Sequence, residues 1–96
     1  MAIPSLDSVK NSLRIDHEAD DEMLTMIILT SADYINRAIT DDEEDKAVEF
    51  YKSYEWAVSL LAQHWYLNRE EATARHTPMA VTSLIQQMRG KYYADY

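Results

Sequence analysis

The stretch from Glu55 to Glu70 constrains the fold more than any other part of the chain, because it reads as one helix with two apolar faces. Phe50, Tyr54, Ala57, Val58, Leu61 and Trp65 recur at three- and four-residue steps, which lines them up as one stripe. Trp56, Leu60, His64 and Leu67 form a second stripe about a third of a turn away or more. An ordinary surface helix buries one stripe and solvates the rest. This helix must run through the centre of a small domain or bury its second face against another chain.

The length decides how far the first option can go. Ninety-six residues make one domain. A domain of this size buries roughly 60–68% of its unfolded surface, enough for one modest core. One Gly and two Pro are too few turn-formers for a β-sandwich or a doubly wound sheet, and no strand pattern or repeat is present. The expected class is therefore all-α, a small bundle of four helices: one short N-terminal, two long central and one C-terminal. The absence of Cys removes disulfides and thiolate chemistry. The N-terminus lacks the basic and apolar segments of a signal peptide, and no run of about 18 apolar residues exists to span a membrane.

Local signals divide the chain. Ser5 is an N-cap candidate, followed by Leu6, Val9 and Leu13 at helical spacing, for a first helix over about 6–14 with Arg14 in its last turn. The acids of 16–22 open the second helix, whose stripe is Leu24, Ile27, Ile28, Ser31, Ile35 and Ala38 and whose end falls near Ile39 or Thr40. Asp45 is a cap for a third helix over about 46–68, roughly 34 Å long and the longest element. A polar loop covers 69–77. Thr77-Pro78 then starts a fourth helix with Val81, Leu84, Ile85 and Met88 as its stripe, ended by Gly90. The tail 91–96 carries Tyr92, Tyr93 and Tyr96, aromatic surface of the kind enriched where proteins meet. It reads either as a frayed end or as a segment that orders against a neighbouring subunit.

The net charge of −8 is unevenly placed: residues 1–50 carry thirteen acids against four bases, residues 51–96 four against five. Acids cluster at Asp16, Glu18, Asp20, Asp21 and Glu22, and again at Asp41, Asp42, Glu43, Glu44 and Asp45. Such surface repels phosphate, and the outward residues of the fourth helix (Thr82, Ser83, Gln86, Gln87, Arg89) are thin for base readout. Catalytic signals are equally thin. His17, His64 and His76 form no zinc-type pair on one helix face. A calcium loop begun at Asp16 would need Gly where Asp21 stands and Glu where Ile27 stands. The lone Gly90 rules out a glycine-rich phosphate loop, and Ser31, Ser59 and Ser83 lie within helices with no nucleophile turn. The reading is a non-enzyme with no cofactor and no metal.

Four segments in order carry a resemblance. They are Leu6 to Asp16 running through acids into Met23-Leu24, then Ala32-Asp33-Tyr34-Ile35, then Ala57 to Glu70 with its His64-Trp65-Tyr66-Leu67-Asn68-Arg69-Glu70 run, and lastly Pro78 to Ile85 continuing to Arg89. Together they make residues 5–89 resemble the gp6-like head–tail connector proteins of tailed bacteriophages, also described as DNA-packaging proteins. The acidic turn Asp41–Asp45 departs from the Gly- or aromatic-containing turn often found there. The resemblance implies a helical subunit that forms a ring under the portal, extends the DNA channel and offers a platform for the next neck or tail protein, with no catalytic residues. It implies a place at the head–tail junction of the virion, in a virus or a prophage, and in the host cytoplasm during assembly. A symmetric match to the portal suggests about twelve copies. On this reading Trp56, Leu60, His64, Leu67, Tyr92, Tyr93 and Tyr96 are the expected subunit interface. Trp65, Leu61 and Phe50 are expected in the core. Asp41, Asp42, Glu43, Glu44 and Asp45, or the 16–22 stretch, are the expected channel lining. The alternative is a generic helical protein-interaction module such as an acidic regulatory subunit.

Overall fold

The computed structural model describes residues 3–40, 51–69 and 77–95. These form helices α1 (Leu6–Leu13), α2 (Asp21–Ile39), α3 (Lys52–Leu67) and α4 (Met79–Asp95), with no strand among the described residues. The three longer helices touch one another pairwise, and α1 packs across α2 and α3. The class is all-α, as the composition implied.

Each boundary has a local cause. Ser5 caps α1, its Oγ accepting from the Ser8 N–H at 3.1 Å. Arg14 lies just past the end of α1 in the left-handed region, at φ 60°. Its N–H donates to the Asn11 carbonyl at 3.1 Å, and the Ile15 N–H donates to the Lys10 carbonyl at 2.9 Å. This is a Schellman closure, and Ile15 packs against the core beneath it. The helix that the acids of 16–22 were expected to open starts only at Asp21. Asp20 stands at the cap position but makes no side-chain cap bond, because its carboxylate is taken by Tyr66.

Two expected boundaries are corrected. The described part of α3 starts at Lys52, since Tyr51 is extended at φ −74°, ψ 138°. Its ring packs against the core. At 16 residues α3 is shorter than the 19 of α2, so α2 is the longest described element. Residues 46–50, with Phe50 and the proposed Asp45 cap, lie outside the described residues. Gly90 does not end α4, which continues to Asp95. A mid-helix Gly costs about 1 kcal/mol relative to Ala. Burial of Met88 before it and Tyr92 after it offsets that cost. Tyr92 also accepts a hydrogen bond from the Thr40 hydroxyl at 3.1 Å.

The core combines Val9 of α1, Leu24, Ile28, Ile35 and Ile39 of α2, Tyr54, Val58 and Leu61 of α3, and Val81, Ile85 and Met88 of α4. Side chains of this size contribute about 1.5–3 kcal/mol each on full burial. Leu61 is where the periodicity puts it. Trp65 is only half-buried, at the edge of the core, where it meets the ring of Tyr34 edge-on at 5.6 Å. Tyr54 and Tyr66 take the buried aromatic places instead.

Two residues are mismatched to their backbone in opposite senses. Gly90 is helical with nothing within 4 Å of an added Cβ, and Arg14 holds a conformation that suits Gly. Gly90→Ala and Arg14→Gly should each raise stability by about 1 kcal/mol, read as a higher urea midpoint with unchanged slope. A lower midpoint for either would show that the side chain or its absence serves a contact in the fold.

Candidate assembly surfaces

One face of α3 is sunk between the other helices through Tyr54, Ala57, Val58, Leu61 and Ala62. The second stripe turns away. Trp56, Leu60, His64 and Leu67 step along it by four, four and three residues. Trp56 is 63% exposed and Leu67 is 68% exposed. Leu60 is half-buried and rests on the core edge. His64 is also half-buried; its carbonyl accepts from the Asn68 side-chain amide at 2.8 Å and helps close the helix. Glu55 is the one charge beside this strip that α3 supplies between Glu55 and Leu67.

The tail divides. Tyr92, expected at a subunit interface, is instead 8% exposed and belongs to the protomer's own core. Its position, four residues past Met88, continues the buried stripe of α4, and that spacing was the available signal. Tyr93 is exposed, edge-on to Tyr92 at 5.3 Å, with the Arg89 guanidinium 5.2 Å from its centroid. Tyr96 lies outside the described residues.

A further apolar surface was missed. Met23, Met26 and Leu29 are exposed on α2, opposite the Leu24–Ile28–Ile35 stripe. The two-face test that singled out α3 finds them when applied to α2, since they fall at three-residue steps off the main stripe.

The acid clusters also divide. Asp41, Asp42, Glu43, Glu44 and Asp45 lie outside the described residues. In the other cluster Asp16, Glu18 and Glu22 are exposed, while Asp20 and Asp21 are half-buried and build the fold. Asp21 pairs with Lys10 at 2.7 Å, and that carboxylate holds the ammonium above its usual pKa. Asp20 accepts the Tyr66 hydroxyl proton at 2.5 Å. Arg69 closes the joint: its Nη1 donates to the Tyr66 carbonyl at 2.6 Å, and its guanidinium lies 4.3 Å from the Tyr66 ring centroid. This joint ties the start of α2 to the end of α3. The hydrogen bond to Asp20, with burial second, raises the Tyr66 pKa above 10.0. Among the described residues no three His, Cys, Asp or Glu side chains gather as a metal site, and no helix is long and apolar enough to cross a membrane.

Among the described residues these features define a class: a small all-helical subunit with apolar faces left exposed on α2 and α3. The chain belongs to the phage gp6-like head-tail connector protein family, whose family model matches residues 3–89. It is thus a structural protein of the phage head–tail junction. Comparison with curated proteins and with solved structures finds no match.

The Tyr66 joint has a pH signature. With its pKa raised on folding, Tyr66 contributes fully below pH 10.0, and the contribution is lost as pH rises through the folded-state value. Tyr66→Phe should cost about 1–2 kcal/mol at pH 7 and make the alkaline fall in stability shallower. Lys10, also raised, keeps part of that fall. Urea titrations between neutral and alkaline pH check this; parallel curves for the two proteins would contradict it.

Proposed function

We propose that the protein, as a single connector domain over residues 1–96, assembles into a ring beneath the portal, extends the DNA channel and joins capsid to tail. About twelve copies match the portal symmetry. The portal lies on one side of the ring and a neck or tail protein on the other, and subunits wait in the host cytoplasm before docking. The chain acts mechanically and needs no catalytic group or cofactor.

The observation that carries this reading is the exposed α3 strip that runs from Trp56 to Leu67. A ring is built from heterologous contacts, in which one surface of each copy meets a different surface of the next. Copies carrying a charge of −8 repel one another. An almost uncharged apolar strip lets them meet without bringing carboxylates together. Leu60 and His64 form the inner edge of that contact, Leu67 its far end, and Tyr93 with Tyr96 an outlying part. The acids suit a lumen through which DNA slides without sticking, with Asp41–Asp45 or the exposed part of 16–22 facing it.

Trp56→Ser should leave the helical circular dichroism of the subunit intact and prevent the unsubstituted protein's expected assembly, read as large multiples of 11.2 kDa in light scattering and as rings in electron microscopy. Leu61→Ala, by contrast, should cost about 2–5 kcal/mol of subunit stability. A Trp56→Ser subunit that melts, or that still forms rings, would overturn the face assignment. Reversing Asp41–Asp45 to Lys should slow or stall DNA ejection from assembled particles, and normal ejection would remove the lumen assignment.

A further inference from the structure

The run from His64 to Arg69 ends α3 without the usual stop residues. No Gly or Pro occurs between Asn68 and Thr77, and Arg69, Glu70, Glu71 and Ala72 are all good helix formers. The helix nevertheless closes at Leu67, with Asn68 as its cap. Side chains take its last carbonyls. The Asn68 side-chain amide donates to the His64 carbonyl at 2.8 Å, beside the Asn68 N–H at 3.1 Å. Arg69 Nη1 donates to the Tyr66 carbonyl at 2.6 Å. In a continued helix that carbonyl would accept from the amide four residues on. The guanidinium therefore stands in for the next turn.

Arg69 also reaches beyond its own helix. Its Nη2 lies 4.0 Å from the Asp20 carboxylate oxygen that accepts the Tyr66 hydroxyl. Its Cζ lies 4.3 Å from the Tyr66 ring centroid. One planar group thus meets a carbonyl, a ring and a carboxylate at once. A Lys ammonium has no plane to lay on the ring and no second nitrogen to divide between carbonyl and carboxylate. Leu67 sits inside this set of contacts, exposed at the far end of the α3 strip, while Tyr66 beside it is buried. Successive residues on a helix point about 100° apart, so fixing Tyr66 to Asp20 fixes the direction in which Leu67 stands.

We infer that Arg69 is a positioning residue for assembly: it ends α3 at Leu67 and locks that last turn, with the His64 and Leu67 it carries, to the start of α2. The inference rests on the connector reading, in which the α3 strip meets the next copy. An exposed apolar side chain in a fraying last turn would have to be ordered at the moment of contact, and that ordering subtracts from affinity. The lock completes the ordering when the subunit folds. It also accounts for the Tyr-x-Asn-Arg spacing of Tyr66, Asn68 and Arg69, each of which supplies one tie at this end of the helix.

The test compares full-length Arg69→Lys with the unsubstituted chain and with Ser5→Ala, which removes the α1 cap far from this turn in sequence. Hydrogen exchange in dilute subunits should be about tenfold faster at the amides of 66–68 in Arg69→Lys and unchanged over Tyr54–Leu61. The protein concentration at half assembly, read by light scattering, should rise about tenfold in the same variant. Ser5→Ala should lower the urea midpoint and leave both readings as they are in the unsubstituted chain.

Unaltered exchange in Arg69→Lys would show that charge alone holds the turn and would overturn the lock. Faster exchange with an unchanged assembly concentration would overturn the positioning role, and so would a rise in Ser5→Ala as large as in Arg69→Lys. An unsubstituted protein that stays monomeric, with the exchange result intact, defeats the ring reading and the assembly role together while the lock stands.

Discussion

The structure depends on a geometric limit: a helix packed on one side against its neighbours leaves roughly half its circumference uncovered. In α3 the covered half is spent on Tyr54, Ala57, Val58, Leu61 and Ala62. The other half still carries Trp56 and Leu67, side chains that a helix ending its contacts within the subunit has no reason to expose. With α2 and α4 both engaged on the inner side and α1 only eight residues long, the described fold has no element left to cover them.

Much of the fold was legible because its determinants are local. Ser5 caps through a residue three positions away, and the α2 stripe from Leu24 to Ala38 follows from helical spacing alone. What was misread depends on partners distant in sequence. Asp20 looks like one acid among several opening a helix, yet Tyr66, 46 residues on, claims its carboxylate. Gly90 looks like a stop, yet Thr40 and the core hold Tyr92 beyond it in helix. Trp65 shares the stripe of Leu61 but lies toward Tyr34 at the core's edge, a choice set by packing.

The candidate surfaces were legible to a lesser degree. The excess of apolar residues on α3 was visible as a count, and Trp56 and Leu67 are as open as that count requires. The Met23–Met26–Leu29 face passed unnoticed because its residues interleave with a stronger stripe. Tyr92 was drawn into the interface by its neighbours Tyr93 and Tyr96, although its own register pointed inward.

The central claim is that Trp56 is open in the lone subunit and covered in the assembly. Acrylamide quenching of a Trp65→Phe protein, in which Trp56 is the sole tryptophan, tests this directly. Quenching should be near that of free tryptophan in dilute subunits and strongly reduced in portal-bound or ring-assembled protein. Trp56 fluorescence already shielded in the dilute subunit, or equally quenched in both states, would contradict the account.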